Sequence, residues 1–376
     1  MYLPESLKQA INRLFFSNCG ISGLILGRCF LAKLGGKIGE MKKLLLTALL
    51  GGAMTCLQAQ DVRFTQFYQA PVYLNPAFTG ASGAARAGIN YRKQGNSEEA
   101  AYTTFSAYAD YYFKDFYASA GLLFISDEDA YSGYISQTVA VPLSYDFSIN
   151  KKVTVKPALQ ASYTRQGIDF SKFLFSDQID SDGNVSGGGT SEPLAVNDRI
   201  SFFDVSAGVL TYGANWWFGY SMHNMLENNI SFVEGGNATL PIRYSVHGGV
   251  SVSLAEKGRK SRSKLRRFVM PTFNYVAQGG FSQLDAGAIL QYEPILFGAL
   301  YRGIPNPFSE GEYSAVSWII GVTKFDFSVG YSYDMPLNNR INPGGVHEIS
   351  ISLLFDPSDP NATPRSAKRL KCPIPY

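Results

Sequence analysis

Apolar and polar residues alternate with period two along much of the chain beyond residue 60. In Arg243–Leu254, Tyr244, Val246, Gly248, Val250, Val252 and Leu254 alternate with Arg243, Ser245, His247, Gly249, Ser251 and Ser253. Val153–Thr164 and Phe325–Asp334 repeat the pattern, with Val153, Val155, Leu159 and Tyr163 in one and Phe325, Phe327, Val329 and Tyr331 in the other. Successive side chains of a strand point to opposite faces, so each segment predicts a strand with one apolar and one polar face. No window beyond residue 60 holds 18 uninterrupted apolar residues, which excludes a spanning helix. Two architectures produce such strands. One is a soluble sandwich with one face on a core; the other is a barrel with lipid outside and a polar lumen.

Strand number and connection lengths favour the barrel. Fourteen strands are predicted near 84–92, 101–113, 116–125, 134–146, 152–166, 202–212, 215–222, 243–255, 265–277, 281–292, 295–302, 314–322, 325–334 and 346–355. Most have the length that a tilted strand needs to cross a bilayer, about 9–11 residues. The tight connections (Lys114-Asp115, Gly213-Ala214, Glu293-Pro294, Thr323-Lys324) are even-numbered, and the long ones (167–201, 223–242, 303–313, 335–345) are odd-numbered. Connections 256–264 and 278–280 blur the rule. Outer-membrane barrels have short periplasmic turns and long outer loops, whereas a sandwich has no reason to keep the alternation. Tyr and Phe gather near strand ends, as in Asp110-Tyr111-Tyr112-Phe113, which suits interfacial girdles. The reading is an all-β transmembrane antiparallel barrel of about 14 strands in the outer membrane, at 84–355, with both termini periplasmic. Whether its lumen is open or plugged is not legible in the pattern.

Composition and the N-terminus fit an exported chain. Charged residues make up 17% of the 376 and aromatics 14%. Met41-Lys42-Lys43, the apolar run Leu44–Leu57 and Gln58-Ala59-Gln60 have the order of a signal peptide, cut after Ala59. A run of about 14 residues is short for a transmembrane anchor, and Ala53-Met54-Thr55 is a poor box for lipid attachment at Cys56. Residues 1–40 precede this start, so Met41 is the expected initiator and 1–40 an error of the gene model. Residues 1–59 carry seven of the 33 basic and two of the 30 acidic residues, which leaves 26 against 28, a net charge of −2. The whole-chain charge of +3 therefore gives no argument for a nucleic-acid partner. Of four cysteines only Cys372 remains, so no internal disulfide is expected.

Two segments flank the strands. A lead segment, 60–83, carries Phe64, Phe67, Tyr68, Tyr73 and Phe78 and is broken by Pro71 and Pro76. It is expected to tuck against the periplasmic mouth. The tail, 356–376, has five prolines and the basic cluster Arg365, Lys368, Arg369 and Lys371, and reads as extended and solvated in the periplasm.

Asp61-x-x-Phe64-Thr65-Gln66-Phe67 and Leu74-Asn75-Pro76-Ala77-Phe78-Thr79-Gly80 resemble the opening signature of the PorP/SprF family of type IX secretion outer-membrane proteins. Ser176-Asp177-Gln178-Ile179-Asp180 is similar to a second family block. Gly345-Val346-His347-Glu348-Ile349-Ser350-Ile351 is similar to the block at its last strand, and Cys372-Pro373 to its terminus. Gly344-Gly345-Val346 departs from the Gly-Ser that often precedes the His. The resemblance spans Asp61–Tyr376. It implies a non-enzymatic barrel, embedded in outer-membrane lipid, that serves export of surface or secreted proteins such as proteinases and gliding adhesins. It implies as partners a periplasmic peptidoglycan-binding lipoprotein, the periplasmic ring and motor proteins and the secreted cargo, and no cofactor.

Candidate chemistry is sparse. Nucleophilic catalysis needs a Ser, a His and an orienting group together. His223 is expected in an outer loop, His247 on the lumen face and His347 near the lipid-facing outer rim, so the three do not converge. Asp177, Asp180 and Asp182 with Gly183 and Asn184 resemble a calcium loop, but the twelfth position is Gly188 instead of glutamate. Gly187-Gly188-Gly189 lacks the Lys-Ser/Thr of a phosphate loop. A secretion component is the leading reading; a solute or hydrophobic-compound channel and an outer-membrane hydrolase are the alternatives.

Overall fold

The computed structural model describes residues 61–95, 102–179, 185, 198–254, 267–304, 314–324, 326–337, 345–355 and 370–374. The expected signal peptide, the leader 1–40, Asp180, Asp182, the triple glycine and Arg365, Lys368 and Arg369 lie outside them.

Fourteen long strands close on themselves. In chain order they are β1 (Ala85–Gln94), β2 (Tyr102–Phe113), β3 (Ala118–Asp129) and β4 (Tyr134–Tyr145), then a short β5 (Phe147–Asn150). β6 (Val153–Gly167), β7 (Arg199–Tyr212), β8 (Trp216–His223) and β9 (Arg243–Val250) follow, then a short β10 (Val252–Ser253). β11 (Arg267–Gln278), β12 (Phe281–Tyr292), β13 (Ile295–Gly303), β14 (Ala315–Lys324), β15 (Phe327–Pro336) and β16 (Val346–Phe355) complete the wall. Each long strand pairs antiparallel with its neighbours, and β1 pairs with β16 from Ala85↔Phe355 to Gln94↔Val346. That last pairing removes both sheet edges, as hydrocarbon requires. Among the described residues no helix is long and apolar enough to cross a membrane.

The predicted strands match the observed ones closely, with two differences. The strand expected over 243–255 is broken at Ser251, where β9 and β10 both pair with β11. β5 continues past β4 and pairs only with β6.

Alternation sorts the side chains as expected. Leu122, Leu159, Phe203, Phe218, Phe297 and Ile320 face outward and are exposed, forming the lipid surface. Tyr111, Phe113, Tyr145, Phe147, Tyr292 and Phe327 ring the outside near the short connections, as an interfacial girdle does. The inward face is mostly polar, but β11–β14 depart from the rule, because Met270, Ile289, Leu296, Leu300 and Ile319 also point inward and are buried.

Candidate functional site: a lumen filled by the lead segment

The lead segment does not lie across a mouth as expected. It enters the lumen and fills it. Asp61 sits where the long connections leave the wall: its backbone N–H donates to Gln278 Oε1 at 3.0 Å, and its carboxylate accepts from Asn224 at 2.8 Å and pairs with Arg243 at 3.3 Å. The chain then descends to Gln69, whose amide meets Ser328 and Ser352 near the opposite end. A one-turn helix, α1 (Pro71–Leu74), with proline at its start where no amide bond is lost, carries the chain back up. Leu74 O there accepts from Ser221 Oγ at 2.9 Å. Pro76–Phe78 and a pair of tight turns bring it down to the start of β1. The expectation of two ends on one side therefore fails for Asp61, which stands at the mouth opposite Ala85.

This looped path has an energetic cost that the wall offsets. A segment with so little regular structure exposes backbone donors and acceptors that cannot be left bare inside a protein. Inward polar residues of the wall satisfy them. Glu348 accepts the backbone N–H of Thr65 at 2.7 Å on one oxygen and that of Gln66 at 2.8 Å on the other. Thr65 Oγ1 donates to Asp334 at 2.8 Å, and Ser350 donates to Gln66 Oε1 at 2.8 Å. Arg302 donates to Phe64 O at 3.0 Å, to Asp334 at 2.9 Å and to Asp285 at 3.1 Å. Arg302 thus bridges two buried carboxylates, and Arg92, 3.6 Å from Asp334, brings the second positive charge, so the buried charges are paired.

On the other wall Asn75 is the anchor. Its Oδ1 accepts from Ala77 N at 2.8 Å, and its Nδ2 lies 3.1 Å from both Val209 O and Tyr220 O and 3.2 Å from His247 Nε2. A Cβ at Gly208 would overlap Asn75 Oδ1, so the wall is bare there to let the amide in. At the lower end Gly80 has φ +66, and a Cβ there would overlap Ser119. Its N–H donates to Asp110 at 2.6 Å, and Asp110 pairs with Arg86 at 2.9 Å. Arg86 also donates to Phe78 O at 3.1 Å. Lys156 pairs with Asp146 beneath the same turn.

Apolar contacts complete the fit. Phe67, Tyr68, Leu74, Ala77 and Phe78 share one buried cluster with Leu210, Trp217 and the inward residues of β11–β14. The aromatics of the lead segment thus meet the apolar stretch of wall. A gap of ≈ 30 Å³ beside Val62, Phe64, Tyr73, Arg243 and Ser245 has room for about one water.

The sequence-predicted residues divide clearly. Phe64, Gln66, Leu74, Asn75, Pro76, Ala77, Gly80 and Glu348 converge in the lumen. His347, next to Glu348, faces outward and accepts or donates a 2.8 Å bond with Tyr331 Oη, as its alternation predicted. Asp177 and Gln178 stand apart, in a short 3-10 turn (Ser176–Gln178) of the β6–β7 connection. His247 faces the lumen as expected. His223 does not lie in an outer loop: it ends β8 and points inward, with Nε2 3.3 Å from Leu74 O. Among the described residues no three His, Cys, Asp or Glu side chains gather as metal ligands would. The sequence did not single out Arg302, Asp334, Asp285, Arg86 or Asp110; charged residues at inward positions of predicted spanning strands were the available signal.

The tail also differs from expectation. Leu370–Ile374 is not solvated but returns to the short-connection mouth, where Cys372 and Ile374 join the central apolar cluster. Burial pushes the Cys372 thiol well above its ordinary range.

Solved outer-membrane proteins show similar chains. The CymD monoaromatic hydrocarbon channel is 14% identical, with 79% of this chain and 95% of that one covered and a TM-score of 0.42. A Pseudomonas aeruginosa FadL homologue is 12% identical, with 77% and 94% covered and a TM-score of 0.40. The translocator domain of the autotransporter NalP from Neisseria meningitidis is 10% identical, with 84% and 95% covered and a TM-score of 0.31. No curated protein matches the chain. The model of the type IX secretion system membrane protein PorP/SprF family matches residues 57–353, which takes in the lead segment and nearly the whole wall. With its closed outer-membrane barrel and the opening and last-strand blocks bonded to each other inside it, the chain belongs to the PorP/SprF family of type IX secretion system membrane proteins.

Proposed function

We propose that the protein is a non-enzymatic, closed outer-membrane component of the type IX secretion system, needed for export of surface or secreted proteins. It acts as an anchor joined to the periplasmic ring and motor proteins, with its short connections toward the periplasm. The observation that supports this reading is the lumen filled by the protein's own lead segment. A solute channel needs a continuous wet path, and here Arg302, Glu348, Asn75 and the apolar cluster occupy the path's cross-section.

Deleting the gene tests the proposal. Surface and secreted proteins should accumulate in the periplasm while uptake of small solutes stays normal. Intact export with reduced solute uptake would replace the secretion role with the channel reading. Co-purification from solubilised outer membranes, with an affinity tag in the Lys114-Asp115 turn, should recover periplasmic ring components. A tag after Tyr376 is unsuitable, since Ile374 is buried.

A further inference from the structure

Cys372 and Ile374 are 1% and 3% exposed, far from the fraying usual near a chain end. They pack in the cluster that contains Phe78, Ala81 and Tyr212, at the mouth where the lead segment leaves the lumen. The Cys372 N–H donates to Ala81 O at 3.0 Å. The Lys371 stem lies along Gly83, where an added Cβ would stand 3.5 Å from its Cγ. These contacts fall on one structure, the double turn in which Ala81 N bonds Phe78 O and Gly83 N bonds Gly80 O, each at 3.0 Å. That double turn is the joint between the lead in the lumen and Ala85, which is fixed in the ladder with β16. Leu370–Ile374 belongs to no strand of the barrel, so it can detach without breaking a ladder.

We propose that Leu370–Ile374 is a releasable clasp, which seals the short-connection mouth and locks the lead segment in the lumen. The site it fills is a receptor for an extended apolar peptide, occupied in cis by the chain's own end. Its features are an apolar floor (Phe78, Tyr212), one carbonyl acceptor (Ala81) and the charged Arg86 close by.

Hydrogen exchange on the purified full-length protein in detergent tests this. In a chain truncated after Arg369, backbone amides of 78–84 should exchange at least about tenfold faster than in the intact protein. Adding a synthetic peptide of residues 370–376 should restore slow exchange. If the truncated chain fails to assemble, the Ile374→Asp chain carries the same two expectations, with heat-modifiable gel mobility as the check on the barrel. Unchanged exchange in an assembled variant overturns the proposal. Faster exchange that the peptide does not reverse also overturns it, since the segment would then be a fixed part of the fold.

Discussion

Glu348→Ala should free the lead segment while leaving the barrel intact. Glu348 is fully buried on β16, and its two oxygens accept the backbone N–H groups of Thr65 and Gln66. Removing the carboxylate leaves two donors without partners in a water-poor lumen. An unsatisfied buried group costs about 1–3 kcal/mol, so the docked lead loses about 2–6 kcal/mol. Water entering the space left by the side chain brings the loss toward the lower end. Even about 2 kcal/mol raises the population of the undocked lead about 30-fold. Glu348→Gln keeps one acceptor and turns the other position into a donor facing a donor, so it should lose roughly half of the interaction. The barrel itself should survive, because its ladders run from Ala85↔Phe355 to Gln94↔Val346 without this side chain. Hydrogen exchange of peptides spanning 61–70 reads the effect, and His347→Ala is the control. That side chain is one residue away but faces outward, against Tyr331 and Tyr333. Equal exchange in the parent and Glu348→Ala, or an equal rise in His347→Ala, would refute the docking argument.

Three further outcomes follow from the same geometry. Leu159→Arg, at the middle of β6 on the lipid face and paired with Leu143 and Ala207, should destabilise assembly by about 2–4 kcal/mol in refolding titrations; Thr164→Arg, on the lumen face of the same strand, should instead disturb the interior and spare insertion. With the short connections periplasmic, cysteines at Glu234 and Asp61 should react with an impermeant maleimide on intact cells and one at Asp115 should not; labelling at Asp115 alone would invert the orientation. The Cys372 thiol ionises near pH 9 when exposed but at higher pH when buried, so the unclasped form holds fewer protons above pH 9 and the clasp weakens as pH rises through that value; iodoacetamide modification should accelerate there more steeply than for a free thiol, and a rate that follows a free thiol would contradict burial.

The wall was legible because its physics is local. Period two, strand length and the spacing of turns are each decided within about a dozen residues, and they fixed fourteen strands and their order. The misplacements arise where a partner distant in sequence overrides the local pattern. Ser251 interrupts a clean alternation because its N–H bonds Asn215 O and not a strand partner. β13 and β14 carry apolar residues on both faces, Leu296 and Ile319 inward and Phe297 and Ile320 outward. Lipid explains only one of those faces. The other serves Phe67, Phe78 and their neighbours in the lead, a partner more than 200 residues away. His223 looked like loop material because the strand ends with it, yet the carbonyl of Leu74 draws it inside.

The lead segment shows what kind of signal a plug leaves. It has no helical or strand period to detect, only prolines and aromatics, because its regularity is replaced by bonds to the wall. Such a segment must be matched residue by residue: Thr65 and Gln66 to Glu348, Thr65 and Phe64 to Asp334 and Arg302, Gln66 to Ser350, Asn75 to bare wall at Gly208. Each match ties a residue near 65–80 to one beyond 200, which makes neither stretch interpretable alone. The opening and last-strand blocks therefore record one interface written in two places. Their side chains sort by face: Glu348 and Ser350 meet the lead, and His347 and Ile349 meet lipid. A wall residue chosen only to line water needs no such matching. A wall committed to one internal ligand can change only together with it, and the Glu348–Thr65–Gln66 contact is where that constraint is tightest, since both oxygens of one carboxylate are spent on main-chain donors that no other side chain replaces.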